Sequence, residues 1–301
     1  MKWHFAISAA VPCARIASAI PRSHIMAVTF SASIVGRSDM SLLESGLEDQ
    51  LRAIKYAENE GKIPVVEMFR SLQGEGILIG TPSIFVRTAV CNLHCIWCDT
   101  KYTWAPKLLE REAIRWLTPQ EIVDAVVDMA NNTVRNVVFT GGEPMLWWDK
   151  GLREAIRMLG SKGFFVEVET NGTIAPEGAE NMWFLRFNVS FKLSNNKADS
   201  YEARIKPDVL RYFNKHIAQG ISPFFERVTW KVVITSLEDL EELLKIMDEV
   251  GLDKRFLVIM PEMTYVEKLK SYDWLVEWCI ENGVRFIDRL HIRLWGTARG
   301  R

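Results

Sequence analysis

The chain has 301 residues, 48% of them hydrophobic and 25% charged, an ordinary globular composition with length for one large domain or two small ones. A formal net charge of -1 argues against a nucleic-acid or membrane surface as partner, and no apolar run approaches the roughly 18–20 residues of a membrane-spanning helix. Five cysteines, three of them clustered between Cys91 and Cys98, do not read as a secreted disulfide framework, so a reduced, cytoplasmic setting is expected.

Residues 1–39 differ in composition from the rest of the chain. Lys2, Arg15, Arg22 and Arg37 precede the first acidic residue, Asp39, and Ser and Ala are frequent. This is read as an N-terminal extension: disordered, transit-like, or extra sequence ahead of a start at Met26 or Met40. Pro12, Arg15 and Pro21 break the apolar stretch from Phe5, against a secretory signal, and Cys13 and His4 are bystanders. From Ser41 to Glu60, Leu43, Leu47, Leu51 and Ile54 recur at helical spacing, and Gly61 closes the segment. Two strand-like runs come next, Ile63–Phe69 and Ser83–Val90, joined through Ser71-Leu-Gln-Gly-Glu-Gly76. Thr118-Pro-Gln-Glu121 is a capping box with Pro at the first helical position, ahead of an apolar face of Ile122, Val123, Val126 and Val127.

Asn136–Thr140 reads as a buried strand running into Gly141-Gly-Glu-Pro144, with a helix over roughly Lys150–Leu159. Phe164–Glu169 is a strand ending in Thr170-Asn-Gly-Thr173, and Arg186–Lys192 another, with Ser190, Lys192 and Ser194 at its exit. The spacing predicts a helix over 200–218, a strand over Val228–Thr235, and a Ser236-capped helix facing inward with Leu240, Leu243, Leu244 and Met247. A strand Phe256–Met260, a helix Thr264–Ile280 closed by Gly283, and a last strand-like run Val284–Trp295 complete the chain. The period switches repeatedly from strand to helix, which specifies a parallel α/β fold, a partial or modified (β/α) barrel. One catalytic domain is expected over residues 40–301. Ligands bind such folds where strands end, and there the polar and glycine residues cluster.

Cys91, Cys95 and Cys98, spaced C-x3-C-x2-C, can hold three irons of a [4Fe–4S] cluster. No fourth cysteine is near, so one iron keeps an open position, as radical chemistry with S-adenosylmethionine (SAM) requires. The alternative is zinc, with His94, His216 or His291 as fourth ligand; a zinc or Fe–S binding module is then the competing function. Cys279, on an apolar helix face with Leu275 and Val276, reads as a core residue. Gly141-Gly-Glu-Pro144 is either an ordinary turn or a place where a ligand approaches backbone and Glu143 meets an ammonium group. Gln73-Gly-Glu-Gly76, with Glu75, is a turn or, with Arg87, a carboxylate-binding wall. Asp99 and Thr100 are Mg²⁺ ligands or a local turn. Most of the tryptophans, such as Trp274 and Trp278 at helical spacing, read as core or interface residues; Trp147-Trp148 can flank the site.

Taken together and in order, Glu67-Met-Phe-Arg-Ser-Leu-Gln-Gly-Glu-Gly76, Phe85-Val-Arg87, Cys91-Asn-Leu-His-Cys-Ile-Trp-Cys-Asp-Thr100, Thr140-Gly-Gly-Glu-Pro144 and Glu169-Thr-Asn-Gly-Thr173 resemble the 7-carboxy-7-deazaguanine synthase family, radical SAM enzymes of queuosine and 7-deazapurine biosynthesis. His291-Ile-Arg-Leu-Trp-Gly296 is similar to that family's end. The resemblance implies conversion of 6-carboxy-5,6,7,8-tetrahydropterin to 7-carboxy-7-deazaguanine and ammonia, started by a 5′-deoxyadenosyl radical from SAM and assisted by Mg²⁺ on the substrate carboxylate. It places the cluster on Cys91, Cys95 and Cys98, and SAM against Trp97, Cys98, Asp99, Gly142, Glu143, Ser190, Phe191 and Lys192. It places the pterin against Leu72, Gln73, Gly74, Glu75, Arg87 and Thr140, and Mg²⁺ on Thr100. It further implies an electron donor such as flavodoxin or ferredoxin, and a homodimer. Phe191 replaces the Pro of the family's Ser-Pro-Lys, Ala89-Val90 stands where a Gly usually precedes the first cysteine, and the Gly-Arg ending lacks the terminal Pro of some members. A nearer rival, sharing the cysteine spacing, is a radical SAM activating enzyme acting on a protein glycine; Gln73-Gly-Glu-Gly76 and Cys98-Asp-Thr100 favour the small-molecule enzyme.

Overall fold

The computed structural model describes residues 46–59, 61–218 and 226–301. The expectations for residues 1–39, for Leu43 and for the first turn from Ser41 lie outside the described residues. The strands are β1 (Ile63–Leu72), β2 (Pro82–Thr88), β3 (Arg115–Leu117), β4 (Asn136–Gly141), β5 (Phe165–Thr170), β6 (Leu185–Val189), β7 (Val228–Ile234), β8 (Leu257–Pro261) and β9 (Arg285–Phe286). They form one sheet in the order β3-β1-β2-β4-β5-β6-β7-β8-β9. β1 runs antiparallel to both β2 and β3, and every pairing from β2 to β9 is parallel. The α/β expectation holds, as an open sheet with two edges rather than a closed barrel.

The period of two along each strand sorts side chains onto the two faces. On β5, Val166 and Val168 join the apolar core while Glu167 and Glu169 point the other way. On β7, Trp230 and Val232 alternate with Lys231 and Val233 in the same manner. The apolar face is covered by α1 (Leu47–Ala53), α2 (Pro119–Ala130), α3 (Leu152–Ser161), α4 (Leu237–Val250) and α5 (Asp273–Asn282). The other face is concave. Its curl is measured by contacts across it: Glu75, after β1, pairs with Lys231 on β7. The Leu290 N–H, past β9, donates to the Gly74 carbonyl at 2.9 Å.

The capping box forms as read, with Thr118 Oγ1 accepting from the Glu121 N–H at 3.3 Å and Glu121 from the Thr118 N–H at 2.8 Å. Four expectations are corrected. Val127 is 43% exposed, because one residue advances 100° around α2 and carries it past the stripe of Ile122, Val123, Val126 and Ala130. The helix over 200–218 is broken into Tyr201–Arg204, Pro207–Tyr212 and a wider turn Phe213–Ala218, since Pro207 has no N–H with which to continue the first piece. Strand β6 ends at Val189, leaving Ser190–Lys192 as a loop. The run Val284–Trp295 is a strand only over Arg285–Phe286. Arg289 turns into the concave face, and α6 (Leu290–Trp295) comes after it.

Candidate active site

The cysteine loop leaves β2 at the open end of the sheet and is held from several sides. The Gln50 amide on α1, fully buried, donates to the Cys91 carbonyl and accepts its N–H, both at 2.9 Å. Val90 donates to the Thr103 carbonyl and its own carbonyl accepts the Glu143 N–H, each at 2.7 Å. Asn92 bonds Thr173 and Asn171 at 2.8 Å, tying the loop to the end of β5. His94 donates its backbone N–H to Asp199 at 2.8 Å and its Nδ1 lies 2.9 Å from the same carboxylate.

All three cysteines line one pocket, and among the described residues no three His, Cys, Asp or Glu side chains converge on a single-ion position. His94 is turned to Asp199, and His216 packs on the Tyr212 ring away from the pocket, so neither completes a zinc set. Burial, then the neighbouring Glu143 and Cys95 charges, push the Cys91 thiol well up. Burial pushes Cys95 up to about 12, against the pull of Lys192. Thiols held this high become thiolates only against strong positive charge, which irons provide. Each sulfur also has a donor: Leu93 N–H to Cys91 at 3.5 Å, Asn196 Nδ2 to Cys95 at 3.2 Å and Trp104 Nε1 to Cys98 at 3.3 Å. Three thiols with sulfur-directed donors around a shared cavity fit a cluster.

Beside the cysteines, the glycine loop presses backbone on backbone. Gly141 sits at φ +121°, and a Cβ on Gly142 would collide with the Val90 carbonyl. Glu143 is buried, and its carboxylate accepts from Met145 N at 3.0 Å, Thr170 Oγ1 at 2.7 Å and Asn171 N at 2.7 Å. Burial raises its carboxyl and those donors oppose the rise. Ser190 and Lys192 line the same wall, bonded to each other at 2.9 Å, with the Lys192 ammonium 5.4 Å from the Trp97 ring centre. Phe191 does not line the pocket: its side chain is core, tilted against Trp230. Any ligand contact from it would be through backbone.

The opposite wall carries Leu72, Gln73, Gly74, Glu75, Arg87 and Thr140. Arg87 Nε donates to Glu67 at 2.8 Å, and its guanidinium lies 5.7 Å from the Phe69 ring centre. Thr140 donates to Glu169 at 2.6 Å. Gln73 donates to Glu169 at 3.2 Å and to Glu167 beneath it. Burial and then the Glu169 charge push the Glu167 carboxyl up to about 7, against Arg186. Glu75 behaves oppositely. Burial would raise it, but Lys231, Arg289 and His291 outweigh burial and hold it well below the carboxylate range. Arg289 donates to Glu75 at 2.8 Å, to the Met263 carbonyl at 3.1 Å and to Asp99. Gly74 packs against the His291 ring so closely that a Cβ would strike it. Thr100 Oγ1 is 3.5 Å from the Cys98 sulfur, in the pocket.

Of the residues the resemblance assigned to the site, all but Phe191 line this pocket. Trp147 and Trp148 do not flank it; they are buried and bond the Ala89 and Glu177 carbonyls at 3.0 Å. Cys279 is in the core as read. Residues not singled out include Gln50, Asn196, Glu169, Lys231 and Arg289. A lone lysine within the buried run Val-Thr-Trp-Lys-Val-Val-Ile234 was the legible signal for Lys231; Gln50 and Asn196 had none.

The radical SAM superfamily model matches residues 85–275. The chain is 34% identical over 247 residues to a 7-carboxy-7-deazaguanine synthase of Pyrobaculum aerophilum, covering 80% of this chain and 98% of that one. It is 32% identical to the Rhodopirellula baltica protein of the same name, covering 80% and 90%. The crystal structure of QueE from Escherichia coli is similar at TM-score 0.57 and 26% identity, over 78% of this chain and 98% of that chain.

Proposed function

This chain belongs to the radical SAM superfamily and, within it, to the 7-carboxy-7-deazaguanine synthases, and on that premise we propose that its pocket converts 6-carboxy-5,6,7,8-tetrahydropterin to 7-carboxy-7-deazaguanine with loss of ammonia. The product would serve queuosine or another 7-deazapurine. The observation carrying this reading is that one pocket joins the three cysteines and Gly142 to Gln73, Arg87 and Thr140. A module that only bound zinc or iron–sulfur would have no use for the second wall.

A [4Fe–4S] cluster and SAM, when bound, supply the radical that starts the ring contraction. Cys91, Cys95 and Cys98 hold the irons. Trp97, Asp99, Glu143, Ser190 and Lys192 would hold SAM, with Gly142 leaving backbone open to it. Arg87, steadied at Nε by Glu67, turns the rest of its guanidinium fork to the substrate carboxylate, a charge-assisted bidentate pairing. Gln73, Glu75 and Thr140 orient the pterin ring, and Leu72 and Gly74 shape its slot. Thr100, whose hydroxyl is in the pocket, would be the residue to hold Mg²⁺. A one-electron donor such as flavodoxin or ferredoxin would supply the reducing electron, and the enzyme would work as a cytoplasmic homodimer. Among the described residues no helix is long and apolar enough to cross a membrane. Residues 40–301 are taken as one catalytic domain, supported by the single sheet, and 1–39 as an extension.

The test is anaerobic reconstitution, then incubation with SAM, reductant, Mg²⁺ and the carboxytetrahydropterin. The expected product is 7-carboxy-7-deazaguanine. An intact cluster that cleaves SAM without forming a deazapurine would overturn the substrate.

A further inference from the structure

We propose that Asn196 is a positioning residue for the cluster: its side-chain N–H, held against the Cys95 sulfur, makes the bound cluster easier to reduce. The inference rests on the reading of Cys95 as an iron ligand. Asn196 lies in the turn Ser194–Asn196 after β6, far along the chain from the cysteine loop, and is fully buried. Its Oδ1 accepts the Ala198 and Asp199 N–H groups at 2.8 and 2.9 Å. The reverse amide orientation would set an NH₂ against two backbone donors, so the network assigns Nδ2 to the other edge. From there Nδ2 donates to Cys95 Sγ at 3.2 Å and Asp199 Oδ2 at 2.8 Å. The Asn196 carbonyl accepts the Ile96 N–H at 3.2 Å, pinning the residue after Cys95 to the same turn. Asp199, which also holds His94, locks the arrangement. The donor cannot swing away without breaking several bonds.

Uptake of one electron from the donor protein makes the cluster and its thiolates more negative, with no other bond formed or broken. An N–H aimed at a ligand sulfur stabilises that added charge, and more so in a buried, weakly screened site. Trp104, also buried, donates its Nε1–H to Cys98 Sγ at 3.3 Å, on a second ligand.

The experiment is a redox titration of the reconstituted full chain followed by electron paramagnetic resonance, with iron content measured alongside. Asn196→Ala with wild-type iron is expected to titrate at a more negative potential, its reduction less favourable by roughly two- to tenfold at a fixed donor potential. Trp104→Phe, which removes the donor to Cys98, should shift the same way. Asn196→Asp keeps an oxygen edge to accept from Ala198 and Asp199 but replaces the donor with a negatively charged oxygen beside Cys95 and Asp199, so it should shift further in the same direction. A wild-type potential in iron-replete Asn196→Ala overturns the proposal. If that variant loses iron, a wild-type potential in Asn196→Asp does so. Failure of the wild-type enzyme to make a deazapurine would strike the substrate reading while leaving the potentials to be compared.

Discussion

Val90, fully buried, holds φ +75° in the left-handed region, a conformation that costs a β-branched residue about 1–3 kcal/mol. It does so because both its backbone groups are committed, to Thr103 and to Glu143, at the mouth of the cysteine loop. Val90 thus stands at a position whose geometry suits glycine. Val90→Gly should destabilise no more than Val90→Ala, inverting the usual core order, since only glycine relieves the backbone; chemical denaturation of both checks this. Glu167 makes stability depend on pH. Its folded pKa near 7 lies above its unfolded value, so the folded state binds the extra proton and stability from this group falls as pH rises from about 4.5 through 7. Glu167→Gln should therefore gain stability over wild type at pH 8, by up to about 3 kcal/mol, with the gap closing at pH 5. A gap that grows toward pH 5 would reverse the assignment.

At the scale of elements, the site is a set of loops pressed together by backbone rather than a set of side chains on one strand. Helix α1 matters through a single residue, Gln50, whose amide occupies both backbone groups of Cys91. Leaving those groups buried and unpaired costs roughly 1–3 kcal/mol. Gln50→Leu should lose that much stability and release iron to a chelator several-fold faster than wild type, followed by absorbance. The helical spacing of Leu47, Leu51 and Ile54 located the element, but spacing of apolar residues says nothing about a polar residue turned inward. The end of the chain makes the same point from the other direction. Val284–Trp295 has strand-like content, yet an edge strand needs only its one partner, and β9 pairs just Val258 with Arg285 and Ile259 with Phe286. Beyond that, Arg289 bonds Glu75 and the Met263 carbonyl, and the Leu290 N–H bonds the Gly74 carbonyl.

Across the whole molecule, the curl of the sheet joins segments that are remote in sequence. Asp99 of the cysteine loop, Arg289 past β9, Glu75 past β1 and Lys231 on β7 form one chain of alternating charge around the pocket. The Glu75 contacts are buried, and removing one partner of such a pair costs about 3–5 kcal/mol when the remaining charge is left alone; here Lys231 still compensates Glu75, so the loss is smaller. The Asp99 end is half exposed and adds little. Arg289→Gln should cost about 1–2 kcal/mol and release the substrate wall from the cysteine loop. SAM cleavage would then proceed with less product per 5′-deoxyadenosine formed, measured by chromatography. Arg87→Ala should instead raise the KM for the pterin tenfold or more, the worth of a charge-assisted pair; an unchanged KM would show that the carboxylate binds elsewhere.

What the amino-acid sequence determined by itself was local: the strands and most helices, the cysteine and glycine loops, and the capping box. Those come from periodicity, spacing and turn chemistry over a few residues, which any folded context preserves. The two walls of the pocket were legible as motifs for the same reason. The tertiary structure alone decided that Gln50 holds Cys91, that Asn196 faces Cys95, that Phe191, Trp147 and Trp148 turn to the core, and that Lys231 and Arg289 meet at Glu75. Each of those depends on strand order and curl, which bring together residues tens to hundreds apart. Apolar periodicity says only which face of an element is buried and not what lies opposite it. The cysteine loop was therefore readable as a cluster site, while the Asn196 donor aimed at Cys95 became visible only once β6 had placed its turn beside the loop.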